Sequence, residues 1–149
     1  MSQQTGCALC DGAGGEVLLR TERWRLLLID EANYPGFCRV VWHDHVREMT
    51  DLSDAERQEF MAAVWAAESV VREVMQPDKI NLASLGNQVP HLHWHIIPRF
   101  TDDTHFPNPI WSAAQAQVGS GAAESVKRLQ ARQALLPALR TALLAHFNT

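Results

Sequence analysis

The chain has only three cysteines, an odd number, in 149 residues. That excludes a disulfide framework as its source of stability. It lacks a basic surplus: 13 Lys and Arg stand against 17 Asp and Glu, for a net charge of -4. A general nucleic-acid binder normally carries a basic face, so that class is disfavoured. A small anionic substrate is not excluded, because a few local donors can outweigh a mild global charge. No apolar run approaches the ~18–20 residues that a membrane span needs. Residues 1–6 are polar and uncharged, without the basic and apolar regions of a signal peptide, so a cytoplasmic location is expected. There is no internal repeat and little low-complexity sequence beyond a small-residue stretch at 119–123.

What remains is ordinary globular composition, 46% hydrophobic and 20% charged, which predicts one domain over 1–149. Two short apolar runs at 16–20 and 24–29 predict a hairpin across Thr21-Glu22-Arg23. Residues 1–15 read as a loop. Asn33-Tyr34-Pro35-Gly36 reads as a turn before a third strand at 37–42. Ser53 with Glu56 forms a capping box. The helix it opens has an apolar stripe of Phe60, Val64, Ala67, Val71 and Val74/Met75 and ends at Pro77-Asp78. Strands are predicted at 79–85 and 92–99, then a loop over 101–111. A helical tail from about 123 buries Val126, Leu129, Leu136, Leu139 and Leu143, with Pro137 kinking or splitting it. Strands this close in sequence predict an antiparallel sheet with one long helix packed on it, an α+β architecture.

Three of the seven histidines lie in one run, His91-Leu92-His93-Trp94-His95. On a strand, alternate residues share a face, so the three imidazoles stand together while Leu92, Trp94 and Ile96 fill the other side. A neutral imidazole is a good nucleophile near pH 7. A neighbouring one can stabilise phosphoryl oxygens or protonate a leaving group. Metal binding is a rival reading, because His-x-His on a strand also serves zinc enzymes. The two-histidine-then-aspartate pattern of metallo-hydrolases is absent, however, since Ile96 and Ile97 follow His95.

His-x-His-x-His followed by two apolar residues and Pro98-Arg99 resembles the signature of the histidine triad (HIT) family. The likeness runs over about residues 7–111, with 112–149 as a C-terminal helical extension. It includes the polar loop Gly86-Asn87-Gln88-Val89-Pro90 and the hairpin from Tyr34-Pro35-Gly36-Phe37 to His45. The resemblance implies a HIT-like fold with a five-stranded antiparallel sheet, usually as a homodimer. It implies a nucleotide hydrolase or nucleotidyl transferase acting at the α-phosphate through a covalent nucleotidyl-histidine. Dinucleoside polyphosphates are the general precedent. A nucleoside phosphoramidase and a nucleotide-binding module with little turnover are the alternatives. His93 matches the family nucleophile. His95 matches the residue that contacts the α-phosphate and the leaving-group oxygen. His91 matches the first triad histidine, whose carbonyl sets the nucleophile's tautomer. Asn87 and Gln88 match the polar substrate positions, and Asp30 matches a ribose-binding position if a one-residue gap is allowed.

Cys7-Ala8-Leu9-Cys10 is open to three readings: free thiols, a redox pair, or half of a zinc site. Some bacterial HIT proteins hold zinc with such a knuckle, a histidine after the third strand and the first triad histidine. The resemblance therefore implies Cys7, Cys10, His45 and His91 as ligands of a structural zinc. His43 competes with His45 for that role, although an exposed position is expected for it. Cys38 is expected to be buried packing. Arg99 reads as a solvated strand end or as a phosphate contact. Residues 104–111, ending at Trp111, either cover the active site, from this subunit or a partner, or simply pack.

Two departures stand out. Many family members have a histidine where this chain has Phe37, and that histidine supports the nucleophile's neighbour. The types of Asn87 and Gln88 also differ from the usual Gln and Ser/Thr, so no leaving-group preference carries over.

Overall fold

A computed structural model describes residues 2–115 and 121–149, so part of the small-residue stretch at 119–123 lies outside the described residues. The elements are α1 (Ala8–Asp11), β1 (Glu16–Arg20), β2 (Trp24–Leu28), β3 (Cys38–Trp42), α2 (Asp54–Met75), β4 (Lys79–Ala83), β5 (His93–Arg99), α3 (Ala122–Gln133) and α4 (Leu136–Phe147). The strands form one antiparallel sheet in the order β1-β2-β3-β5-β4. The architecture is α+β, with the expected five strands, long helix and broken helical tail.

The two faces of the sheet differ, as strand alternation requires. Leu26 and Leu28 of β2, Cys38, Val40 and Trp42 of β3, and Ile96 of β5 point towards α2 and α4. They meet Phe60, Val64, Ala67, Val71 and Met75 from α2 and Leu139 and Leu143 from α4. The capping box is present: the Ser53 hydroxyl accepts from the Glu56 amide at 3.4 Å, and the Glu56 carboxylate accepts from the Ser53 amide at 2.8 Å. α2 ends at Gln76 in the left-handed region, φ 50°, just before Pro77. The helical tail breaks between Gln133 and Leu136, ahead of Pro137. Val126 is exposed rather than buried, because α3 is held by charges and not by an apolar face. Arg128 and Arg132 of α3 both bind Asp102, at 2.6 Å and 2.8 Å.

The other face carries Arg25 and Leu27 of β2, Arg39 and Val41 of β3, and His93, His95 and Ile97 of β5. Loops cover it, not helices. The N-terminal knuckle packs Cys7 and Leu9 on Leu27 and Val41, while Tyr34 and Phe37 pack on Ile97. Gly36 makes the turn into β3 at φ +89°, where a Cβ would also press on Met75 at 3.0 Å. The stretch expected to be a loop contains the single helical turn α1, opened by Cys7.

Among the described residues, no helix is long and apolar enough to cross a membrane.

Candidate active site and metal centre

β5 begins at His93, so two of the three triad histidines lie on the strand and His91 sits at its entrance. The amide of His91 donates to the Val89 carbonyl at 2.8 Å, and that of Leu92 to the Val46 carbonyl at 2.8 Å. This turn swings the His91 ring away from its neighbours and towards the knuckle. Its Nε2 lies 2.7 Å from the Trp42 carbonyl oxygen, which can only accept, so Nε2 carries the proton. Nδ1 is left with a free lone pair, 3.4 Å from each of the Cys7 and Cys10 sulfurs.

Cys7, Cys10, His45 and His91 each offer one ligand atom, and these atoms all lie within 4.8 Å of one another. Cys10 Sγ is 3.4 Å from Nδ1 of His45. Sulfur and nitrogen ligands around a tetrahedral zinc would be about 3.5 Å apart, so the cluster fits a divalent ion. The hydrogen bond from His91 Nε2 to Trp42 is the support a ligating imidazole needs on its far nitrogen. His43 is not part of this cluster. It is buried, not exposed, with Nδ1 3.0 Å from the Glu22 carbonyl oxygen.

His93 donates from Nδ1 to the His91 carbonyl at 2.5 Å. The bond fixes the tautomer: Nε2 keeps its lone pair. Burial holds the His93 pKa below the usual histidine value, so the ring is neutral at pH 7. Ser84 steadies the start of the strand by donating to the His93 carbonyl at 2.7 Å.

His95 packs among three rings, with centroids 4.8 Å from His93, 5.5 Å from Phe37 and 5.1 Å from Trp111. Its Nδ1 is buried without a hydrogen-bond partner among the described residues. A buried bare acceptor costs less than a buried unpaired N–H, so the proton belongs on Nε2. Burial, with His93 and Arg39 adding to it, pushes the His95 pKa down to about 3. Phe37 is in contact with this ring and offers it no hydrogen-bonding group.

His93 and His95 line a cavity of about 380 Å³ together with Asn87, Gln88, Arg39 and Trp111. Asn87 and Gln88 are both exposed at its rim. Asp30 is not part of it; it lines a separate groove with Glu16 and Arg140. Ile29 turns onto the triad face, packing against Leu27, Val41 and Phe37. The next side chain, Asp30, is therefore directed elsewhere.

Arg99 is neither a solvated strand end nor a phosphate contact. It is 2% exposed and makes a two-pronged pair with Asp103 at 2.7 and 3.0 Å. It also donates to Asn81 at 2.7 Å and to the Asn108 carbonyl at 2.8 Å. Asp103 in turn accepts from the amides of Phe100, His105 and Phe106. This buried charge organises the loop that brings Trp111 of the same chain over His95.

Two arginines escaped the sequence reading. Arg25 gathers the knuckle's backbone, donating to the carbonyls of Leu9, Gly12 and Ala13 at 2.7, 3.3 and 2.9 Å. Arg39 is paired in register with His95. The available signal was their parity: both interrupt apolar strands on the face that also carries the histidines.

An α+β sheet that presents a neutral, tautomer-fixed imidazole to a cavity, beside a Cys/His metal cluster, defines a histidine-based site on a small antiparallel fold. The HIT domain family model matches residues 13–102, and the chain belongs to that family. Among solved structures, a histidine triad protein from Bradyrhizobium japonicum is similar over 91% of this chain and 99% of its own, with TM-score 0.67 and 27% identity. A second, from Marinobacter aquaeolei VT8, has TM-score 0.62 and 28% identity over 85% of this chain and 92% of its own. Among curated relatives, an AP-4-A phosphorylase of Mycobacterium tuberculosis is 35% identical over 78 residues, 48% of this chain and 40% of the relative. A Bis(5'-nucleosyl)-tetraphosphatase [asymmetrical] of Schizosaccharomyces pombe is 25% identical over 72% of this chain and 62% of its own length. The chain thus spans less than two thirds of these curated relatives.

Proposed function

We propose that this chain is a nucleotide hydrolase or nucleotidyl transferase that cleaves at the α-phosphate of dinucleoside polyphosphates. The observation that carries the reading is the bond from His93 Nδ1 to the His91 carbonyl, which leaves Nε2 as a lone-pair nucleophile in the cavity. Nε2 attacks the α-phosphorus, a P–N bond forms, and the P–O bond to the leaving phosphate breaks with its electron pair on that oxygen. Water then attacks the nucleotidyl-histidine, returning Nε2 to its free state and giving a nucleoside monophosphate. His95 donates a hydrogen bond from Nε2 to a phosphoryl oxygen, while Asn87 and Gln88 contact the substrate at the rim. The names of the two curated relatives favour this substrate class.

Cys7, Cys10, His45 and His91 hold a structural zinc in this reading. The ion supplies no chemistry to the reaction; it pins the knuckle to the entrance of β5. The exposed Trp65 on α2 and the open outer edge of β4 support the homodimer that the resemblance implies. Three free cysteines accord with a cytoplasmic setting.

The test follows AMP release from diadenosine tetraphosphate, diadenosine triphosphate and adenosine 5'-phosphoramidate by wild type and His93→Ala. Release by wild type alone supports the mechanism. Release that survives in folded His93→Ala overturns the nucleophile. The unpartnered Nδ1 of His95 favours a second reading, a nucleotide-binding module with little turnover. Silence from both proteins with nucleotide binding intact would establish it.

A further inference from the structure

We propose that Arg39 is the anion-binding residue of the cavity, that it holds the departing phosphate of the substrate, and that the site is thereby matched to phosphoanhydrides and not to phosphoramidates. The inference rests on the α-phosphate reading above and names the leaving group for it.

Arg39 stands opposite His95 across the β3–β5 pair, on the face of the sheet that carries His93. Side chains directly opposite on neighbouring strands lie about 5 Å apart at Cβ, so the guanidinium shares the histidines' space. It lines the same cavity as His93, His95, Asn87 and Gln88. One donor is engaged with the backbone, since Nη1 donates to the Gly14 carbonyl at 3.1 Å. Nε is buried without a partner, and no carboxylate pairs with Arg39 among the described residues. The other inward arginines differ: Arg99 is neutralised by Asp103, and Arg25 directs its donors to three backbone carbonyls. An uncompensated cation with spare donors in a partly buried cleft is a site for an anion.

The chemistry of departure selects among leaving groups. An amine cannot leave phosphorus as an amide anion and must first be protonated. The neighbouring imidazole, His95, is buried, uncharged and without any group to stabilise an added proton on Nδ1. A phosphate departs as a stable anion, so the P–O bond can break with its electron pair on oxygen and no proton is needed. What that anion requires is a fixed positive charge, and Arg39 provides it.

The experiment compares wild type, Arg39→Gln and Arg39→Lys on diadenosine tetraphosphate and on adenosine 5'-phosphoramidate, with thermal melts to confirm folding. Wild type is expected to prefer the tetraphosphate in kcat/KM. Arg39→Gln should lose about 10²–10³-fold on it, under tenfold on the phosphoramidate, and Arg39→Lys should recover part of the loss. An equal loss on both substrates, or none on the tetraphosphate, overturns the assignment. If wild type releases AMP from neither, the hydrolase reading fails on its own account. Arg39 is then judged by calorimetric binding of inorganic pyrophosphate: loss in Arg39→Gln supports the anion site, and unchanged binding overturns it.

Discussion

His91 joins the metal cluster to His93. Its ring Nδ1 faces the Cys7 and Cys10 sulfurs at 3.4 Å, while its carbonyl oxygen holds Nδ1 of His93 at 2.5 Å. A residue at the mouth of a strand thus faces the cysteine sulfurs with its ring and fixes the His93 ring with its carbonyl.

If the cluster holds zinc and His93 is the nucleophile, as proposed, loss of the metal should disturb catalysis although the ion would not meet the substrate. Protein from zinc-replete medium is expected to carry about one zinc per chain. Cys10→Ser should lower that content, reduce Tm by roughly 5 °C or more, and reduce kcat more than it raises KM. Metal analysis beside thermal melts and kinetics checks it. A Cys10→Ser protein with full zinc content would rule the cluster out as the zinc site.

Phe37 denies His95 the hydrogen-bond partner that its buried Nδ1 needs. Phe37→His would offer an acceptor for a proton taken up at Nδ1, which is now a bare lone pair. The His95 pKa should then rise from about 3 towards the ordinary value, and the substituted enzyme should handle the phosphoramidate better relative to wild type. Histidine NMR titration reads the first effect and the substrate ratio the second. An unchanged titration in a folded variant would show that Phe37 does not set the protonation of His95.

Most of the fold was legible because it is written in short-range pattern. The capping box at Ser53 and the short apolar runs of β2 and β3, bounded by turns, are each readable locally. The metal cluster was reached through resemblance, since Cys7 and His91 are 84 residues apart and spacing alone left three readings open. Arg39 and Arg25 went unread because an arginine in a strand looks the same on a solvated face and a covered one. Only the strand register and the loops laid over that face tell them apart. Asp30 lines a groove apart from that of His93 and His95, and one residue of phase just past β2 decides it. Arg99 was misread because its partner, Asp103, lies in a loop with no periodicity to place it.

The pH behaviour follows from burial. His95 has its folded pKa pushed to about 3, below the ordinary 6.5, so the unfolded chain binds protons that the folded chain refuses. Stability should therefore be flat above pH 6.5 and fall as pH drops from 6.5 towards 3. Burial also lowers the His93 pKa, so if His93 is the nucleophile, as proposed, kcat/KM should hold below pH 6.5, where an ordinary histidine would be more than half protonated. Urea midpoints against pH, for wild type and His95→Phe, test the first point: the slope should be shallower in the variant. An identical slope would deny His95 its part.

The last test concerns the support behind the triad. Arg99 and Asp103 are each 2% exposed and pair within 2.7 Å, and the same aspartate ties down three loop amides. Removing one partner strands the other as a buried charge, which costs about 3–5 kcal/mol. Asp103→Asn should therefore destabilise the protein by an amount in that range in urea unfolding. Because the loop carries Trp111 over His95, the change should also free the indole and weaken substrate binding. Trp111→Ala separates the two effects: it should raise KM while leaving the urea midpoint almost unchanged, since Trp111 is 51% exposed. If Trp111→Ala binds substrate as wild type does, the loop serves stability alone. The cover over His95 would then play no part in recognition.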